Sequence, residues 1–271
     1  MSRAPGKVRQ WGFTLVELLV ALGIFLIVTG AAFSLLGSSQ KHSQTESRVL
    51  TSFQEARLGL DQIVRDVNDA GFPPPTFFQS AFPNLSASSP FAWSPGYTVP
   101  TPCQIGTGGG GTCNTPGDFD IIIETNPNPQ DAGSQVQWIR YQLQGTTLMR
   151  GMYGKDGSDP ATATAAAGIL APFVQNVINN SSPAQIAQYQ LAYPSMFPTG
   201  PVPIFSYTCD NSSPPPLTVP CPGAGAAINA PANIREVIVT LIVAAPAPDA
   251  TTGVPRIVQL TGRGRRVNPN L

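Results

Sequence analysis

From Phe13 to Leu36 the chain is an apolar run broken by a single charge, Glu17. A bilayer-spanning helix needs ~20 apolar residues, so the run is long enough to cross a membrane. The only charged side chains before it are Arg3, Lys7 and Arg9, a basic leader that predicts a cytoplasmic N-terminus and export of the rest. Ser38, Ser39, Gln40 and Lys41 mark the exit from lipid. Beyond them Val49, Leu50, Phe53, Ala56, Leu60, Ile63, Val64 and Val67 recur at steps of three and four, which predicts one apolar stripe on a continuing helix. Glu55, Arg57, Asp61, Gln62, Arg65 and Asp66 occupy the other faces. Gly71 suits a C-cap, and Pro73-Pro74-Pro75 bars continuation. Such a helix of about 58 residues would be roughly 87 Å long.

The pattern then changes. Phe72 to Gly117 has no helical period and is rich in Pro, Ser and Gly, which predicts a long loop region. Strands are predicted from Phe119 through Ile121-Ile122-Ile123, and over Val136 to Leu143, where Ile139, Tyr141 and Leu143 alternate with Arg140 and Gln142. Gln144-Gly145 turns this strand into Thr146 to Met149 as a hairpin. Lys155 to Ala167 reads as a Gly/Ala/Thr loop, and Ile169 to Ile178 fits neither period because Pro172 weakens both. Gln185 to Leu191 suggests a short helix and Val202 to Thr208 a strand. In Ile234 to Val243 both faces are apolar, so this strand belongs at the centre of a sheet, with Pro255 to Leu260 beside it. Arg263-Gly-Arg-Arg266 then reads as a solvated tail. The sum is an α+β chain: a long N-terminal transmembrane helix whose second half covers one face of an antiparallel β-sheet head with long loops.

Composition sharpens this picture. The chain has 271 residues, 42% hydrophobic and only 11% charged, with zero formal net charge, so no global field draws it to nucleic acid. With 29 Pro and 26 Gly, long irregular segments between strands are expected. All four cysteines, Cys103, Cys113, Cys209 and Cys221, lie beyond the membrane run, and an even number on the exported side reads as two disulfides. Of the three pairings, Cys103–Cys113 and Cys209–Cys221 are favoured, because each brackets its own Pro/Gly-rich loop. Zinc fits poorly: no CxxC pair exists, and the only histidine, His42, is remote in sequence.

Glu17 is the unusual residue. A carboxylate at the centre of a membrane helix costs ~2.5–3.5 kcal/mol on insertion scales, and no Lys or Arg in the run can pair with it. Cutting between Gly12 and Phe13 would supply a partner. Phe13 would gain a free amine, and a neighbouring copy could offer its amine to this carboxylate. A secretory signal peptide, with Thr29-Gly30-Ala31 as its small residues, would need an apolar core well beyond the usual ~7–15 residues, with an acid inside it. A plain anchor with an incidental Glu17 is the other reading.

Gly12-Phe13-Thr-Leu-Val-Glu17, followed by the unbroken apolar helix, resembles the type IV pilin and pseudopilin class. That resemblance implies cleavage by a prepilin peptidase after Gly12, N-methylation of Phe13 and an assembly role for Glu17. It implies a leader at 1–12, a transmembrane helix at 13–36, its exported continuation at 37–71 and a β-rich head at 72–271. More loosely, Asp66 to Phe72, Tyr141 to Arg150 and Val237 to Val243 resemble PilW-type minor pilins and J-type pseudopilins of type II secretion. The implied function is that of a minor subunit helping to prime a type IV pilus or a type II secretion pseudopilus. The alternative is a tip-located adhesin or DNA-uptake subunit. The implied partners are prepilin peptidase, other minor and major pilins or pseudopilins, an inner-membrane assembly platform and lipid. The implied location is the bacterial inner membrane with the head in the periplasm, then the fibre.

No catalytic constellation and no cofactor motif stands out, so no enzyme activity is expected. Gly106 to Gly111 lacks the Lys of a phosphate loop. Asp118 and Asp120, and Asp156 with Asp159, offer oxygen ligands without the spacing of a calcium loop. Arg263, Arg265 and Arg266 are the one cluster that DNA could use, with no aromatic platform beside them in sequence.

Overall fold

The computed structural model describes residues 12, 14–74, 86–93, 116–130, 134–210, 218–221, 231–248 and 253–267. It divides into two compact units, Met1–Arg48 and Val49–Leu271. The first unit holds the opening part of helix α1, Leu15–Asn68. Leu15–Gly37 is long and apolar enough to cross a membrane, and none of it is buried against protein. Leu15, Ile27 and Leu35 are more than 70% exposed, which suits side chains whose solvent is lipid.

The second unit contains the end of α1 and two antiparallel sheets. The first sheet has the order β1 (Phe91–Ala92), β2 (Asp120–Thr125), β3 (Gln137–Gln144), β4 (Thr147–Gly154), β5 (Ala171–Val174). The second has the order β7 (Thr218–Pro220), β6 (Phe205–Asp210), β8 (Ile234–Pro248), β9 (Pro255–Arg265). Two short helices complete it, α2 (Pro160–Thr164) and α3 (Pro183–Ala192).

The expected helix stripe is largely the core. Ala56, Leu60, Ile63, Val67 and Ala70 are buried in one cluster with Ile121, Ile123, Ile139 and Tyr141 of the first sheet and Val237, Val239, Leu241 and Val243 of the second. Leu50 departs from the stripe and is exposed. Glycines let the helix sit close: a Cβ on Gly264 would fall 2.6 Å from Val67, and one on Gly262 2.9 Å from Val64. The helix ends at Asn68, ahead of the expected cap at Gly71; Gly71, at φ +82°, lies past a turn, and its N–H donates to the Glu124 carbonyl on β2 instead of back to the helix.

The β3–β4 hairpin forms around Gly145–Thr146, and Gly145 at φ +60° supplies the positive φ that a two-residue hairpin turn needs. β8 is central, between β6 and β9, as its two apolar faces require. Cys209 and Cys221 are joined by a disulfide with Cα atoms 4.8 Å apart, closing the β6–β7 connection. Cys103 and Cys113 lie outside the described residues.

Four further expectations need correction. The single sheet is two, because β8 pairs along one edge with β6, over residues 234–239, and not with any strand of the first sheet. The far half of β8 is taken instead by residues 176–178, arriving from β5: Ile178 N donates to Ile242 O (2.8 Å) and Ala244 N to Asn176 O (2.9 Å). The expected loop over 72–117 includes strand β1, held on β2. The Lys155–Ala167 loop contains α2, started by Asp159 capping Thr162 N and by Pro160 at its first position. The tail is no tail: β9 runs to Arg265, and Arg266 is buried.

Candidate processing and assembly site

Thr14 begins α1 as its N-cap. Its backbone N–H and its hydroxyl both donate to Glu17 Oε2, each at 2.9 Å, and Glu17 N donates back to Thr14 Oγ1 at 3.3 Å. This is a capping box: the side chains at N-cap and N3 satisfy each other's orphan backbone donors. Thr14-Leu-Val-Glu17 carries that signature in the sequence itself, ahead of the apolar run. Gly12 lies outside the helix and is exposed, with nothing within 4 Å of where a Cβ would stand. The chain itself therefore does not require a glycine there. Phe13 lies outside the described residues. Among the described residues no hydrogen bond engages Glu17 Oε1.

The other candidate residues are not brought to this site. Asp120 accepts from Arg140 Nε (2.9 Å) and Gln142 Nε2 (3.1 Å), so its carboxylate serves an ion pair on the first sheet; burial nonetheless pushes it above the usual range. Burial raises Asp118 as well, and its carbonyl accepts from Ile204 and Phe205 N. Asp156 accepts from Tyr153 OH (2.9 Å) and Ser158 N (2.7 Å), bonds that keep it below the usual range, and Asp159 caps α2. Among the described residues no three His, Cys, Asp or Glu side chains converge on a metal-sized space. Arg263 and Arg265 flank Glu236 at 3.6 and 3.9 Å with side chains 63% and 61% exposed, whereas Arg266 is 2% exposed and donates to Ala232 O. The three arginines thus do not form one exposed patch. His42's side chain lies outside the described residues.

Sequence reasoning missed two polar clusters in the head. Tyr141 OH donates to Asp66 Oδ2 (2.6 Å), and Arg150 Nη2 reaches the same oxygen at 3.0 Å, tying the helix to β3 and β4. Glu124, fully buried, accepts from Lys155 Nζ (2.6 Å), Ser88 N (2.6 Å) and Trp138 Nε1 (3.3 Å). Both clusters join residues far apart in sequence and leave no local pattern to find.

Residues 9–33 match the family model described as the prokaryotic N-terminal methylation motif. No curated protein and no solved structure matches the chain. The match covers Gly12, the capping box and most of the apolar span, and an α+β unit follows it. The chain therefore carries, on a pilin-like α+β frame, the N-terminal methylation motif of type IV pilin-like proteins.

Proposed function

We propose that this protein is a minor pilin or pseudopilin, a structural subunit that helps prime a type IV pilus or type II secretion pseudopilus. One observation carries the reading: the methylation motif at 9–33 lies on a capped, bilayer-length helix that continues into the core stripe of a β-rich head. In this reading a prepilin peptidase cuts after Gly12 and methylates the Phe13 amine. Methylation keeps the amine cationic, so it can still meet a carboxylate. The head is exported, the span waits in the inner membrane, and an assembly platform passes the subunit to its neighbours. Glu17 then receives a neighbour's amine, which offsets the cost of holding a carboxylate in lipid.

Mass analysis of the N-terminal peptide tests this. The expected product starts at a methylated Phe13, and Gly12→Glu is expected to leave uncut precursor in the membrane. A mature start at Ala31 or Ala32 would show an ordinary signal peptide and end the proposal.

A further inference from the structure

We infer that Thr14 is a positioning residue for Glu17, holding one carboxylate oxygen so that the other is presented to the incoming amine. This rests on the reading of Glu17 as the acceptor of a neighbour's amine. The asymmetry of the carboxylate is the observation. Both Thr14 donors converge on Oε2, and none reaches Oε1 among the described residues. A free glutamate side chain samples many rotamers, and fixing it at the moment of assembly costs entropy. The capping box settles that orientation in advance. It also gives the carboxylate two donors while no neighbour is present, when an unpaired acid in lipid is most costly. Thr14 and Glu17 both lie after Gly12, so the cut leaves the box intact. The arrangement predicts that cap and intersubunit bond coexist, one on each oxygen.

The test uses the full chain expressed in cells, with two readouts on each sample: the mature, methylated fraction, and the amount in sheared fibres. Losing an N-cap threonine weakens helix starts by a factor of several, so Thr14→Ala is expected to be processed normally and incorporated about three- to tenfold less. Thr14→Ser restores the hydroxyl and is expected to restore incorporation. Glu17→Gln keeps a residue able to complete the box but loses the charge, and like Glu17→Ala is expected to be processed yet poorly incorporated. If Thr14 acts through Glu17, Thr14→Ala with Glu17→Ala falls no lower than Glu17→Ala alone. Normal incorporation of Thr14→Ala, a further drop in the double variant, or uncut Thr14→Ala precursor would each overturn the inference. An unprocessed wild-type chain would instead overturn the reading beneath it.

Discussion

At the scale of single residues, the head depends on a charge that has no water. Glu124 is fully buried, and it pairs with Lys155, itself 5% exposed. Desolvation raises the Glu124 carboxyl above its ordinary value, and Lys155 pulls the other way. The sign follows. An acid whose folded pKa is raised gives its stabilising contribution below its unfolded pKa, and loses it as pH rises through the folded pKa. Lys155→Met removes the cation that opposes the shift. The variant is therefore expected to lose about 3–5 kcal/mol near pH 8, the cost of orphaning half of a buried pair, and less near pH 5, where Glu124 can protonate. Thermal melts of a fragment starting at Ser43 across that range check it. A pH-independent loss would show that the lysine acts by packing alone. Adding Glu124→Gln is expected to recover most of the loss at pH 8, because the amide needs no counter-ion.

At the scale of elements, what could be read from sequence was what is local. The apolar span, the stripe from Ala56 to Val67 and the Gly145 hairpin each rest on residues within a few turns of one another, and each stands where expected, whereas the helix stops at Asn68, ahead of Gly71. Gly12 and Glu17 lie inside the matched motif at 9–33, which is equally local. The division into two sheets was not legible, because it depends on which distant segments pair: β6 with β8 some 30 positions later, and only a single bridge, Val177–Val243, from the segment after β5. Nor was Lys155 legible as a core residue, since a lysine in a Gly-rich stretch reads as solvated until Glu124 is seen opposite it. The seat of the helix on β9 was also invisible, because Gly262 and Gly264 look like loop residues in Thr261-Gly-Arg-Gly-Arg265. Their role is room. Gly264→Ala would place a methyl 2.6 Å from Val67, and overpacking of this kind costs about 1–3 kcal/mol. Denaturant melts of the same fragment are expected to show that loss, while Gly157→Ala, with open space around it, is expected to show little.

At the scale of the whole molecule, the question is how many copies a fibre can hold. In a pilin-type fibre the N-terminal helices pack side by side, so every head must fit a narrow lateral slot. Covering the stripe of α1 needs one apolar sheet face. Here both sheets share that task, and further layers are added: α2 over Trp138 and Ile122, and α3 over Ile242 and Ala244. The outer layers bury their own small clusters and contribute nothing to the helix stripe. A head enlarged in this way crowds a repeating lattice but is tolerated where lateral neighbours are few, at a tip. On the proposed reading, Glu17 receives a neighbour's amine, so this chain needs a subunit above or beside it in the complex. We therefore expect a few copies per fibre, in a small priming complex near the tip. Quantitative mass spectrometry of purified fibres is expected to find this chain far below the major subunit, and its deletion is expected to reduce fibre number rather than fibre length. Copy numbers equal to the major subunit would refute the crowding argument, and unchanged fibre number on deletion would refute the priming role.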